Sequence, residues 1–523
     1  VNETTYLENR QLILVTIVLC IASLLFVLDY SVSSIILPYV IGDLGARYEQ
    51  GVYIVTTFSV GNALSIPPLL FAFKYFGERR ALFYSLLLFP FASLICGLTN
   101  SFNVLLFFRF ILGLISGPIM PLALFVLLDL YPKKHHETVF GIWACTVITA
   151  PAIGPLIGGY LCTEYTWRIA FLFAIPIGLI CALILRYELG LEKETEKPPF
   201  DWIGYFFLAV MSTTMQLLID KGQQWDWYRS NLVLFLFSVF VVSLVLFLVW
   251  NFYSDKPVLE LSLLRRSNFS LSIVLVILTY GCLFGSIIII PVWLETMQGY
   301  DAFKAGLALA PIGIIPLCVA PFNAVLVEKF GLRPLLFFSM CAFAAVSYYT
   351  TNFYVYVDLY HIQMSRLFLG LGFAFYLAPL LALALEGMND EERPKAMILF
   401  SYIRMVAGAV GAGGFATLVT RRSFFHHEFL GEFVNVLNPY YSQYMTATQQ
   451  LPFYAGAPNA ILNGQIEQQA RILAIIDVFW VMTWMYVAAI GAILLWSFVD
   501  WVLACGWIQG RLRDAQEIKP QST

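Results

Sequence analysis

Apolar residues in this chain come in blocks long enough to cross a bilayer, separated by short polar turns, and that pattern leaves few folds open. A hydrocarbon core of about 30 Å needs about 20 apolar residues of helix. Inside it every backbone N–H and C=O must be satisfied within the segment, which a helix does and an open strand does not. Blocks of that length fall at 12–40, 50–73, 81–98, 103–130, 138–162, 166–186, 202–220 and 230–252. Six more follow at 269–293, 303–327, 334–351, 361–387, 396–420 and 472–502, which makes fourteen. With 60% hydrophobic and 12% charged residues, the chain has too little charge to cover a water-soluble domain of 523 residues. The expected fold class is an all-α polytopic membrane protein embedded in the lipid bilayer.

A net charge of −3 without any strong basic run excludes a nucleic-acid partner. The nine cysteines lie in or at the ends of apolar blocks and not in the polar loops, so they read as packing residues and not a disulfide framework. No metal site is expected, because His135, His136, His361, His426 and His427 stand in no zinc-ligand pattern. Walker loop, nucleophile elbow and metal cluster are all missing, which argues against an enzyme. The first apolar run lacks a small-residue cleavage site and reads as a retained helix.

Fourteen spans put both termini on one side, and the basic residues choose which. With the N-terminus cytoplasmic, 19 Lys and Arg fall in inside loops and 8 in outside loops, while Arg109, Arg366 and Arg404 lie within spans. Both termini are therefore expected in the cytoplasm. Residues 187–201 form a charged cytoplasmic linker. Residues 423–470 form an extracytoplasmic segment that keeps Phe424, Phe433, Tyr440, Tyr441 and Tyr444, so partial order is expected there.

The chain also repeats itself. The turn Lys74-Tyr75-Phe76-Gly77-Glu78-Arg79-Arg80 after span 2 returns as Glu328-Lys329-Phe330-Gly331-Leu332-Arg333-Pro334 after span 10, its glycine 254 residues on. Arg109 and Gly113 in span 4 return 257 residues on as Arg366 and Gly370 in span 12. Gly154, Gly158 and Gly159 in span 5 answer to Gly408, Gly411, Gly413 and Gly414 in span 13. These offsets pair spans 1–6 with 9–14 and leave 7 and 8 as an insert. The domains expected are 1–186, a six-helix bundle; 187–268, linker and inserted helices; and 269–523, a second bundle that carries the 423–470 segment. Two repeated bundles around a midplane cavity are the architecture of an alternating-access transporter.

Thr149-Ala150-Pro151-Ala152-Ile153-Gly154-Pro155-Leu156-Ile157-Gly158-Gly159-Tyr160 in span 5 resembles the antiporter motif of the fourteen-helix drug:proton antiporters in the major facilitator superfamily. Leu28-Asp29 with Leu37-Pro38 resembles that family's first-helix motif, and Arg109 with Gly113 and Gly117-Pro118 its fourth-helix motif. Asp220-Lys221-Gly222, Asp226-Trp227, Pro257-Val258-Leu259 and Leu261-Ser262-Leu263 are similar to the EmrB-type multidrug permeases in particular. The resemblance covers essentially the whole chain. It implies a major facilitator fold, export of small hydrophobic substrates against protons, and the proton gradient as energy source with no cofactor. It also implies a periplasmic membrane-fusion adaptor and an outer-membrane channel as partners, with 423–470 as an adaptor contact, in a bacterial inner membrane. Two departures stand out. Lys74 replaces the aspartate usual in the gate turn of Gly77, Arg79 and Arg80, and Tyr30 follows Asp29 where a small hydroxyl residue is commoner.

Asp29 is the single charge of span 1, about 16 Å from its outer end, and Arg109 lies about 9 Å from the outer end of span 4. Intramembrane charges are expensive and mark function. A nearby guanidinium lowers a carboxyl's proton affinity and desolvation raises it, so Asp29 fits a proton acceptor tuned by Arg109. A permanent salt bridge between two helices is the other reading. Arg404 in span 13 fits either an anionic substrate group or a cap on helix carbonyls. Pro151 and Pro155 weaken the span 5 hydrogen-bond ladder, while Gly154, Gly158 and Gly159 admit a neighbouring backbone. Ordinary small-residue packing would use the same glycines. Tyr30, Phe58, Asn62, Trp143, Tyr280, Phe284, Phe375 and Tyr402 are the candidate substrate contacts, by helix and depth. Besides a multidrug exporter, two functions remain open: an exporter of one endogenous compound such as a fatty acid or siderophore, and a membrane sensor that no longer transports.

Overall fold

The structure, a computed structural model, describes residues 9–47, 50–132, 135–190, 199–355, 357–389, 391–435, 437–449 and 458–517. Lys133, Lys134 and linker residues 191–198 lie outside them. The first half of the chain runs α1 (Asn9–Ile35), α2 (Leu37–Asp43), α3 (Tyr53–Ser65), α4 (Leu69–Phe76) and α5 (Glu78–Leu98). It continues with α6 (Phe102–Ser116), α7 (Ile119–Leu130), α8 (His136–Glu164), α9 (Ile169–Leu172) and α10 (Ala174–Leu189). The inserted pair is α11 (Trp202–Lys221) and α12 (Asn231–Tyr253). The second half opens with α13 (Ser267–Met297), α14 (Ala302–Leu309), α15 (Ile314–Val319), α16 (Asn323–Phe330) and α17 (Leu332–Thr350). It closes with α18 (Leu359–Ala374), α19 (Leu377–Leu385), α20 (Glu392–Gly431), α21 (Pro439–Gln449) and α22 (Pro458–Glu517). Thirteen of the described spans are long and apolar enough to cross a membrane, and the bent pair α3–α4 supplies a fourteenth.

Several spans are broken, and the sequence says where. Pro67 and Pro68 carry no N–H, and the chain bends by 56° between α3 and α4. Gly117-Pro118 separates α6 from α7 eight residues past Arg109, and α18 likewise gives way to α19 at Phe375, nine residues past Arg366. Span 10 holds Pro311, Pro316 and Pro321, and short 3₁₀ turns at Ala310–Gly313 and Ala320–Phe322 re-satisfy the backbone there. The repeated turns match in detail: Gly77 and Gly331 both sit at φ 81°, a region that only glycine enters at no steric cost.

The two halves meet along two seams that exchange equivalent helices. On one, α3 of the first half packs against α20 of the second; on the other, α8 packs against α14. Backbones touch there. A Cβ added at Gly306 would lie 2.2 Å from the Pro155 carbonyl oxygen, and one at Gly159 would lie 2.4 Å from the Ala302 oxygen. The inserted helix α11 lies along the first seam, packed against α3 and α20. Its partner α12 faces outward, with a mean hydropathy of 3.2 and exposed Phe235, Val242 and Val249, as a lipid-facing helix must.

The segment 423–470 is more helical than the sequence suggests. The last turns of α20, the whole of α21 and the first turns of α22 fill its described part. Arg422 Nε and His426 Nε2 converge on Asp477 Oδ2 at 2.5 and 2.7 Å, and Tyr444 bonds Gln465 at 3.2 Å. With 60 residues, α22 reaches about 90 Å, three times the hydrocarbon thickness. At the same end of the molecule Trp167 and Arg168 hold Asp43, and the guanidinium keeps that carboxyl below its usual range.

Within the first half, α3 and α6 interlock through two glycines: a Cβ at Gly113 would stand 2.2 Å from the Phe58 carbonyl oxygen. Gly113→Val is therefore expected to cost about 1–3 kcal/mol by overpacking and to lower the unfolding temperature in detergent. Gly414→Ala, with nothing within 4 Å of the new methyl, is expected to leave it unchanged or raised.

Candidate transport site

Asp29 near the end of α1 and Arg109 in α6 meet as a buried ion pair. Arg109 Nη1 lies 2.7 Å from Asp29 Oδ2, and the two side chains are 0% and 2% exposed. Arg109 Nε donates to the Ile54 carbonyl at 3.2 Å, and its Nη2 has no partner. The guanidinium stands over the Phe58 ring at 4.4 Å and nears Phe171 at 5.4 Å. Such a pair is held by geometry and mutual need: removing either partner strands the other charge in an apolar interior.

Phe58 belongs to two structures at once. It sits beneath Arg109 and also lines a cavity of about 130 Å³ between the halves. Tyr30 and Phe58 approach it from the first half, and Phe284 and Tyr280 from the second. Tyr30 meets Phe284 at 4.7 Å and Phe284 meets Tyr280 at 4.6 Å, so the aromatic row crosses the interface. At its far end Arg404 Nη1 donates to the Tyr280 hydroxyl at 2.5 Å, with its guanidinium 5.0 Å from the ring. Arg404 is the charged residue of the lining. Asn62 turns a buried side-chain amide, bonded to no described residue, toward this cavity. Its volume falls short of the ~300 Å³ at which drug-sized pockets begin, so loading requires the halves to part.

Six of the candidate contacts, Tyr30, Phe58, Asn62, Tyr280, Phe284 and Arg404, line this cavity. Trp143, Phe375 and Tyr402 do not. Trp143 Nε1 donates to Ser23 Oγ at 2.9 Å and ties α8 to α1. Tyr402 shares a 2.5 Å hydrogen bond with Ser212 of α11, and Phe375 packs on Phe338 at 5.6 Å. On the same helices it is Val147, Phe373 and Met405 that line the cavity, and Phe26 joins them from α1. Pro151 also lines the cavity. Of the span 5 glycines, Gly154 and Gly158 pack on Ser31 and Val32 of α1, and only Gly159 touches the other half, at Ala302. In the turn after span 2, Arg79 reaches Asp129 at 3.4 Å and the Leu189 carbonyl at 3.3 Å, both within the first half, and Arg80 stays half-buried next to it.

The second half holds a neutral copy of the ion pair. Ser286 lies 257 residues after Asp29, the offset that relates Arg366 to Arg109, and Arg366 Nη1 donates to Ser286 Oγ at 2.9 Å. A second cavity, of about 370 Å³, opens where α11 ends. Asp220 faces it, accepting from Thr56 Oγ1 at 2.6 Å and Gln216 Nε2 at 2.8 Å.

Broken helices, repeated halves and a cavity at their junction define a secondary transporter of the alternating-access class. The sequence model of the Major Facilitator Superfamily matches residues 19–412, and the chain belongs to that superfamily, within its EmrB-type group. It is 32% identical to the multidrug export protein EmrB of Escherichia coli K12 over 94% of this chain and 96% of that one. To the fatty acid resistance protein FarB of Neisseria gonorrhoeae it is 31% identical over 90% and 94%. A bacterial homolog of the human lysosomal transporter Spinster, inward-facing and occupied, superposes with a TM-score of 0.60 at 16% identity, covering 94% and 97%.

Arg109→Met is expected to destabilise the protein by about 3–5 kcal/mol if Asp29 stays charged. The double variant Asp29→Asn/Arg109→Met should recover most of that loss, measured as thermal unfolding in detergent.

Proposed function

We propose that this chain is a proton-driven exporter of hydrophobic and amphipathic drugs, with Asp29 as the proton acceptor and Arg109 tuning it. One observation carries the reading: Phe58 is shared between the ion pair and the aromatic cavity. A substrate that displaces Phe58 disturbs Arg109, and a proton that neutralises Asp29 frees the same guanidinium to shift. Substrate and proton thereby act on one element from opposite sides, which is what exchange requires.

On this reading residues 1–186 and 269–523 are the rocking units, and 187–268 carry the inserted pair. The protein works in a bacterial inner membrane with both termini cytoplasmic, as the Lys/Arg asymmetry directs. The helical extension of α20, α21 and α22 then stands in the periplasm. Its exposed Phe425, Phe429, Phe433 and Tyr440 suit a membrane-fusion adaptor that leads to an outer-membrane channel. The alternative of one endogenous substrate is favoured by Arg404, a cation in an otherwise apolar lining: it suits a carboxylate amphipath such as a fatty acid.

The test is proton release from the purified protein on adding uncoupler-like or cationic drugs. Release is expected from wild type and not from Asp29→Asn; equal release from both would move the coupling site elsewhere, and none from either would remove proton exchange with those drugs. Arg404→Gln is expected to weaken binding of acidic amphipaths by about tenfold or more, the loss of one charge-assisted hydrogen bond, while neutral ligands bind as before. Direct calorimetric titration reads both.

A further inference from the structure

Near the end of α13, Glu295 is half-buried, with both carboxyl oxygens shielded from solvent and lacking a hydrogen-bond donor. It stands where the α8–α14 seam closes, at the end that the Lys/Arg asymmetry assigns to the outside. The seam is tight there: Ala302 N–H donates to the Tyr39 hydroxyl at 3.0 Å, and Gly159 packs against the Ala302 backbone. Among the described residues, the ionisable groups within electrostatic reach of Glu295 are Asp301 at the start of α14, Tyr39 on α2 and Cys162 on α8; the nearest cation on those elements, Lys304, is engaged with Asp301 at 3.9 Å and does not pair with Glu295. At the same end of α20 and α22, Arg422, His426 and Asp477 are bound to one another, and Arg421 lies over Trp227. No ion pair among the described residues includes Glu295.

A carboxylate so placed would lose its hydration with nothing in return, a cost that the neutral acid largely avoids. One turn on, Gln298 leaves its Nε2 donor unpartnered as well. A donor and an acceptor spaced i,i+3 at the end of α13 are thus bonded neither to each other nor to another described residue. We propose that Glu295 is a second proton-carrying residue of the transport cycle, whose neutral form lets the outer seam shut and whose ionised form opens it. This rests on the proton-driven reading above but uses a different carboxyl, at the gate and not beside the substrate cavity.

Cys162, 5% exposed and on the same seam, is the reporter. The full chain, with Cys162 as its sole cysteine, is placed in nanodiscs. Its labelling by a membrane-impermeant maleimide is followed between about pH 6 and about pH 9, where a buried carboxyl can titrate. Glu295→Gln, or Glu295→Met if the first variant fails to fold, supplies the thiol's pH dependence without the carboxylate, whose direct repulsion of the thiolate would by itself lower the wild-type-to-variant ratio as pH rises. The ratio of wild-type to variant labelling is expected to stay level at the acid end and to rise with pH. The rise is up to tenfold per pH unit while one proton is lost. A ratio that stays flat overturns the proposal, as does a rise that Asp29→Asn abolishes. A rise that survives in Asp29→Asn supports it, and does so even where drug-evoked proton release is missing from wild type, so the two readings fail separately.

Discussion

A carboxylate and a guanidinium 2.7 Å apart, sealed from water in the middle of a bundle, dictate much of what this molecule can do. Neither charge is tolerable there alone, so the pair must form, break or be neutralised as a unit. The guanidinium also has little room: Asp29, the Ile54 carbonyl and the face of Phe58 hold three of its sides. On the proposed exchange, a proton on Asp29 would cost Arg109 its strongest contact and leave its Nη2, which has no partner here, to seek another. The element nearest to both is α3, whose Ile54 and Phe58 lie one turn apart. α3 is also half of one of the two seams. A protonation event in the first half is thus placed against a helix on which the second half rests.

The seams make such an event discrete. Where glycines bring backbones into contact, as at Gly159 on Ala302 and Gly306 on Pro155, small displacements meet hard repulsion and the packing has few alternatives. Proline and 3₁₀ breaks in spans 2, 4, 10 and 12 place bends beside those contacts. Rigid seams between jointed helices favour two arrangements over a continuum. The inserted helix α11 adds a constraint to one seam only. Asp220 accepts from Thr56 of α3 while Gln216 donates to the Ala409 carbonyl of α20 at 3.2 Å, so the insert is bonded to both halves.

Span number, the repeat and the ion pair were legible in the sequence because each rests on something linear: block length, a fixed offset, or a charge that hydrocarbon forbids. Which aromatics face the cavity was less legible. Phe373 lines it and Phe375 does not, a difference of helical phase that the break at Phe375 makes unreadable without coordinates. Glu295 escaped for a related reason. The apolar block ends at Val292 and Trp293, so the glutamate reads as the first residue of a loop, whereas α13 continues to Met297 and carries it into the seam. Ser286 was accessible in principle: the offset that pairs Arg109 with Arg366 lands on it, yet a serine in an apolar span draws no attention.

That serine bears on how the two halves divide their work. Arg109 and Arg366 occupy equivalent places and point at equivalent residues, but only the first finds an acid. Arg366 is 1% exposed, so its position is as dry as that of Arg109, and the second half keeps the polar cross-link with a serine in place of the carboxylate. If both halves carried a carboxylate, two protons would be taken up at related depths and the halves would respond alike. On the proton exchange proposed above, a proton taken at the Asp29–Arg109 position acts within the first half, while the equivalent Arg366–Ser286 contact of the second half takes none. The asymmetry extends to the cavity, where the first half contributes Tyr30, Phe58 and Asn62 and the second contributes the cation Arg404. A ligand spanning them would meet an apolar surface on one side and a cation on the other, and parting the halves would break two different kinds of contact, the apolar one beside the Asp29–Arg109 pair.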